Sequence, residues 1–298
     1  MSKGRWHYQM ANIHPSENSY AVDPESAMEM ARLMDLDIIV NKQMGGLFPP
    51  DIDLGKVHDV LDIACGPGGW AMEVAFEHPD KHVVGIDISR AMLEYATAQA
   101  NMQDLQNIEF FFMDATASLE FPAASFDLIN ARFIVGFMWK EAWPELIKEC
   151  MRILRPGGII RITDTDRVFS PSNSAALEKF NIFVSKAFVR TGRSFCKEEN
   201  ANHFGLTPML GALLAAAGCE NIRKIPYMLN YSAGKPAHFA QTHNWEMGLA
   251  LLVPFFRRTS MASQEELEEL YQQVLVEMRR DDFRGIWYFM SAYGAKPM

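Results

Sequence analysis

The residues that could do chemistry gather around one turn. Val60-Leu61-Asp62-Ile63-Ala64 is a short apolar run that stops at Cys65-Gly66-Pro67-Gly68-Gly69 and restarts as a helical pattern at Trp70. A buried parallel strand reads as a continuous hydrophobic run, and a turn without side chains lets the backbone approach a ligand at the next helix N-terminus. The turn is that of a nucleotide-type cofactor loop. Asp62 stands just ahead of it. Asp87 closes the next apolar run, Val83-Val84-Gly85-Ile86, about twenty residues on, where a carboxylate can accept both ribose hydroxyls. Gly66, Gly68 and Ala71 also satisfy the looser glycine-x-glycine-x-x-alanine form of a dinucleotide loop, so the turn alone leaves two ligands open.

The company it keeps narrows the choice. Asp114 ends a third apolar run (Ile108-Glu109-Phe110-Phe111-Phe112-Met113), Ser125-Phe126-Asp127-Leu128-Ile129 is a fourth, and Leu154-Arg155-Pro156-Gly157-Gly158 precedes a fifth. In this order the series resembles the class I S-adenosylmethionine-dependent methyltransferases, nearest the branch of quinone-biosynthesis and natural-product small-molecule enzymes. The resemblance is dense over residues 56–166 and loose on the flanks. Ala64 departs from it, since the family often has glycine there.

The resemblance implies that S-adenosyl-L-methionine binds and leaves as S-adenosyl-L-homocysteine. The loop residues Asp62, Ala64, Gly66, Pro67 and Gly68 would carry it, with Asp87 and Ile88 at the end of the second strand. Met92 matches a position that packs on the adenine or simply fills the core; Asp114, with Ala115, would meet the adenine amino group or cap the following turn. Ala131 would offer backbone groups to the cofactor's amino acid part. Arg132 would hold its carboxylate, orient an acidic substrate, or make a structural salt bridge. Tyr20 and the Met44-Gly45-Gly46 turn are lid contacts or plain helix packing. The fourth strand lacks the polar-Pro-Pro-aromatic tetrapeptide of enzymes that methylate exocyclic base nitrogens, which disfavours that role.

Methyl transfer from a sulfonium is an in-line displacement with a neutral leaving group, so the protein mainly aligns the nucleophile and excludes water. A base is needed only where a proton must leave early. Candidates are Asp166 at the end of the fifth strand and His203, His238 and His243 beyond it; each histidine is also an ordinary surface or packing residue. Asp164 and Asp166 raise the thought of a metal, but no third acid or asparagine completes a site, so no metal is expected.

Composition limits the partners. The 298-residue chain is 49% hydrophobic with a net charge of −9 and no basic cluster, which argues against nucleic acid. Four cysteines show no metal-ligand spacing and suit a reducing compartment. No apolar run reaches membrane-spanning length and no signal-peptide core is present, so a cytoplasmic protein is expected. A small-molecule substrate and a possible homo-oligomer complete the expected partners.

These residues need a scaffold. The pattern predicts an α/β, Rossmann-like, seven-stranded, mostly parallel sheet with an antiparallel last strand at its edge, helices on both faces and a helical substrate cover. Asp23-Pro24 starts a helix ending at Gly45-Gly46, whose faces carry Met30, Leu33, Met34, Asp37 and Ile38. Ser89 caps a helix over 90–101, and 143–154 is amphipathic. Helices follow at 174–190, 207–217, 236–256 and 263–280, with strands at 221–231 and 283–293. Three segments result: 1–50, amino-terminal lid helices; 51–170, the cofactor-binding core; and 171–298, which completes the sheet and inserts the cover. The expected activity is methyl transfer to O, C or N of a small, fairly apolar, quinone-like or secondary metabolite. The alternatives are a cofactor-binding regulator or scaffold without turnover, and a nicotinamide oxidoreductase, in which Asp62 and Asp114 would have no role.

Overall fold

A computed structural model describes residues 20–169, 171–198 and 201–298. The aromatic stretch around Trp6 and Tyr8, part of the expected lid, lies outside the described residues.

Seven strands form one sheet: β1 (Asp59–Ile63), β2 (His82–Asp87), β3 (Ile108–Phe112), β4 (Phe126–Arg132), β5 (Leu154–Thr165), β6 (Glu220–Asn230) and β7 (Ile286–Ala295). Their order is β3-β2-β1-β4-β5-β7-β6, with β7 antiparallel to both neighbours and the other pairs parallel. All five residues of β1 are buried, as a strand covered on both faces requires. Side chains alternate across the sheet. Val60, in register with Val83 and Leu128, joins one hydrophobic cluster, while Leu61, in register with Val84 and Ile129, joins the larger cluster on the other face.

Eight helices surround the sheet among the described residues: α1 (Ala27–Met44), α2 (Gly69–Glu77), α3 (Arg90–Met102), α4 (Trp143–Ile153), α5 (Ala175–Arg190), α6 (Leu206–Ala216), α7 (His238–Arg258) and α8 (Gln264–Met278). Ser89, Ser174 and Ser263 cap α3, α5 and α8, each accepting a backbone N–H from three residues on. Among these helices, α7 and α8 lie between β6 and β7.

Three details differ from expectation. Helix α1 starts after Ser26, whose hydroxyl accepts from the Glu29 amide; Asp23 instead accepts from Glu25 in the preceding turn. The buried side of α1 is Glu29, Leu36, Ile39, Val40 and Asn41, whereas Met34 and Ile38 face outward. Finally, β7 is interior and β6 is the edge. Trp287, Phe289, Ala292 and Tyr293 give β7 a buried side, while β6 is largely exposed and carries Arg223, Lys224 and Pro226, residues that suit an unpaired edge.

Among the described residues no helix is long and apolar enough to cross a membrane, and the four cysteines are free.

Candidate cofactor cleft and active site

The strand order reverses at β1, between β2 and β4, and open parallel sheets place ligands outside the carboxyl ends of such strands. A cleft of about 1030 Å³, including its solvent-open part, lies there. Its floor is the turn after β1. Ala64, Gly66 and Gly68 all have positive φ, +54°, +54° and +81°, which folds the backbone tightly before α2. At Gly68 a Cβ would also approach the Phe110 ring at 2.9 Å, so this glycine serves packing as well as the turn.

The Asp87 carboxylate holds the turn in place: one oxygen accepts from the Gly66 amide at 2.8 Å and the other from the Ser89 amide at 2.9 Å. Burial raises its pKa, against the pull of those amides. Asp62, only 4% exposed, accepts from Asn130 Nδ2 at 2.6 Å, and Asn130 Oδ1 accepts from Arg161 Nε at 2.8 Å. Standing between a carboxylate and a guanidinium fixes the Asn130 amide orientation. Arg161 then donates to the Leu47 carbonyl at 2.6 Å, tying the segment between α1 and β1 to β5. Burial pushes Asp62 up to about 7, opposed first by Arg132 and then by the Asn130 bond.

Arg132, at the end of β4, lines the cleft while pairing with Asp37 of α1 and donating to Asn41 Oδ1 at 2.6 Å. Of the three roles open to it in sequence, the salt bridge is present, and the guanidinium still borders the cleft. The Asp37 carboxylate sits beside Gly69 and accepts from the Trp70 amide, in the first turn of α2. Across the cleft Ile88, Met92, Met113 and Ala115 form an apolar slot. Asp114 Oδ1 accepts from both the Thr116 amide and hydroxyl at 2.7 Å, which is the turn-capping role, and the residue also lines the cleft. Tyr20 borders it too, donating its hydroxyl to the buried Glu29 at 2.7 Å; Arg32 pairs with both Glu29 oxygens.

The structure does not bring every candidate here. Met44 packs against the core and Gly45 is the left-handed C-cap of α1; neither lines the cleft, nor do Gly68 or the buried Ala131, which pairs with Ile63 and Ile162 within the sheet. None of the four candidate bases lines it. Asp166 Oδ1 accepts from the Leu206 amide at 2.7 Å, capping α6, and His203 stands 3.6 Å from its other oxygen. His238 Nδ1 bonds the Tyr231 carbonyl at 2.9 Å, and His243 stacks on the exposed Phe239. Among the described residues no group of three or more His, Cys, Asp or Glu could hold a metal ion.

Sequence reasoning left out of the site Asp37, Phe133 and Ile134, and it read Phe137, Met138 and Trp139 as either lining a pocket or covering the sheet; Asp37, Phe133, Ile134 and Phe137 line the cleft, and Met138 and Trp139 do not. Asp37 carried a signal, an acid on an otherwise apolar helix stripe. Phe133 carried none, because an aromatic after a strand is ordinary core material.

Comparison with known proteins agrees with this geometry. Residues 60–158 match the family described as a methyltransferase domain. The demethylmenaquinone methyltransferase of Listeria monocytogenes is 28% identical over 187 residues, 60% of this chain and 76% of that protein. A probable S-adenosylmethionine-dependent methyltransferase of Mycolicibacterium smegmatis is 29% identical over 124 residues, 41% of this chain and 44% of that protein. Among solved structures, the Haemonchus contortus phosphoethanolamine N-methyltransferase 2 in complex with S-adenosyl-L-methionine superposes with a TM-score of 0.51 at 18% identity, covering 92% of this chain and 57% of that one. The YcgJ protein of Bacillus subtilis gives 0.50 at 17%, covering 89% and 98%. Strand order and cleft position agree with these likenesses: residues 60–158 match a methyltransferase domain, and the sheet has the Rossmann-like fold of the solved methyltransferase neighbours.

Proposed function

We propose that the protein transfers a methyl group from S-adenosyl-L-methionine to O, C or N of a small, fairly apolar metabolite, quinone-like or of secondary metabolism. The observation that carries this is the cleft's two unlike ends. One has the glycine turn, Asp87 and the buried Asp62; the other has Phe133, Ile134 and Phe137. The residues fit the cofactor: a turn with backbone room, a strand-end carboxylate, apolar side chains suited to a flat base, and a desolvated acid suited to an ammonium. When bound, the cofactor supplies an electrophilic methyl on a sulfonium. Asp87 would hold the ribose, Met92 and Ile88 the base, and Asp62 the amino group; Arg132 would hold the carboxylate. The apolar end would exclude water and align the acceptor. Residues 1–50 would act as a lid and 171–298 as the acceptor cover.

With no histidine among the described residues lining the cleft, acceptors that ionise readily suit it best, and the names of the demethylmenaquinone relatives support a quinone-like ring. The same observation favours a second reading, a cofactor-binding regulator without turnover. Calorimetric titration with S-adenosylmethionine, S-adenosylhomocysteine and NADH decides, with Asp87→Ala as control. Low-micromolar binding of the first two alone, lost in the variant, supports the cofactor site, and labelled methyl reaching an aromatic acceptor separates enzyme from regulator. Binding of NADH alone would overturn both readings.

A further inference from the structure

Behind Phe133 the cleft ends against an aromatic assembly in which Gln241 and Trp287 have no polar partner among the described residues. Gln241 of α7 is fully buried, and neither its amide nitrogen nor its amide oxygen is hydrogen-bonded; Trp287 Nε1 of β7, in a residue 2% exposed, has no partner either. Folded proteins bond nearly all such atoms, because a buried amide left unpaired loses its hydration without return. An amide orphaned at both ends lacks a partner that both donates and accepts.

The place of Gln241 is given by the helix period. At 100° per residue it falls between Asn244, which bonds the Arg32 carbonyl of α1 at 2.7 Å, and Trp245, whose ring meets Phe169 and Trp287 at 5.3 and 5.4 Å. It therefore stands where α7 faces both the lid helix and the aromatic assembly. Phe133 joins this assembly to the cleft. It lines the cleft, and its ring stacks on Trp287 with centroids 5.3 Å apart and planes 28° apart. Its backbone is left-handed, φ 54° and ψ 42°, a strained state for a bulky side chain and one that folds retain at clamps and switches.

Resting on the methyltransferase reading, we propose that this assembly is the acceptor chamber, closed by Phe133, and that its occupant is a planar conjugated ring bearing an ionisable O–H and a second oxygen. The ring takes the place of the Phe133 ring against Trp287. Its O–H donates to Gln241 Oε1, and its oxygens accept from Gln241 Nε2 and Trp287 Nε1.

The test uses the full chain saturated with S-adenosylhomocysteine and titrated under argon with 1,4-dihydroxynaphthalene in a calorimeter. Gln241→Leu fills the same space and removes the orphaned amide, so its melting temperature should hold or rise. Its affinity for the probe should fall about tenfold with S-adenosylhomocysteine binding unchanged, and Trp287→Phe, which keeps a ring and loses the N–H, should fall about threefold or more. A probe that fails to bind, or binds both variants as it binds the parent, overturns the chamber. Failure of the parent to bind S-adenosylhomocysteine removes the methyltransferase reading and the chamber with it; intact cofactor binding with no probe response removes the chamber alone.

Discussion

Ala64 holds a backbone conformation, φ +54°, that a residue with a Cβ occupies at a cost of about 1–2 kcal/mol. The physical reason for glycine at this turn is thus visible in the chain that lacks it. Replacing Ala64 with glycine removes that strain and adds about 0.5–1 kcal/mol of unfolded-state entropy, so Ala64→Gly should stabilise the protein by roughly 0.5–1 kcal/mol in urea unfolding. A loss of stability would show that the methyl group is used in packing. Asp62 makes a second prediction. Its folded pKa, about 7, lies above its unfolded value because burial penalises the charge. The native state therefore holds this proton more tightly than the unfolded chain. The stability it contributes is complete below the unfolded pKa and is lost as pH rises through about 7. Asp62→Asn should accordingly raise the melting temperature more at pH 8 than at pH 5. Cofactor affinity runs the opposite way, because a ligand ammonium seeks the ionised form. S-adenosylhomocysteine should bind roughly tenfold tighter at pH 8 than at pH 6, with proton release on binding, and Asp62→Asn should flatten that profile. A flat profile in the parent protein would remove Asp62 from the ammonium role.

At the scale of elements, α1, the proposed lid helix, is tied to α7 by a polar seam. Asn244 of α7, fully buried, donates to the Arg32 carbonyl at 2.7 Å and accepts from the Arg32 guanidinium at 3.4 Å, while Arg32 grips Glu29 and Glu29 grips Tyr20 at the cleft. Asn244→Ala leaves that guanidinium short of a bond and should cost about 1–3 kcal/mol. Because α1 also presents Asp37 to Arg132, hydrogen exchange over residues 27–44 should quicken and S-adenosylhomocysteine should dissociate faster, whereas exchange in β1 should stay unchanged. Equal acceleration in both would mean that the seam supports the whole fold. The strands behind this arrangement were legible because a parallel strand covered on both faces is a continuous apolar run, and the turn after β1 was legible because glycine leaves few alternatives. The seam was not. Arg32 and Asn244, or Asp62 and its partners Asn130 and Arg161, are far apart in the chain, and a single sequence carries no sign that such residues meet. The histidines misled for the opposite reason: each can serve as base, cap or surface residue, and His238 and His243 were spent on a backbone carbonyl and an exposed ring.

Across the whole molecule the three expected segments share one interior. Val22 and Val40 from the amino-terminal part, Ile63 and Ile129 from the middle and Leu249, Phe256 and Phe289 from the remainder lie in a single hydrophobic cluster. An amino-terminal segment that contributes to the same cluster as the sheet has little to gain from unfolding alone, since its departure would expose apolar surface on both sides. Calorimetric melting should therefore give one transition, with the lid helix and the sheet lost together. A ligand that binds only the folded state at a hundred times its dissociation constant adds about 2.7 kcal/mol. With an unfolding entropy of about 2.1 cal/mol/K per residue over 298 residues, that moves the midpoint by roughly 4 °C. S-adenosylhomocysteine should shift the single peak upward by about that amount without splitting it. Two peaks, with only the later one responding, would instead place cofactor binding in a core that folds independently of residues 20–50 and 171–298, and the lid and cover would then be appended units.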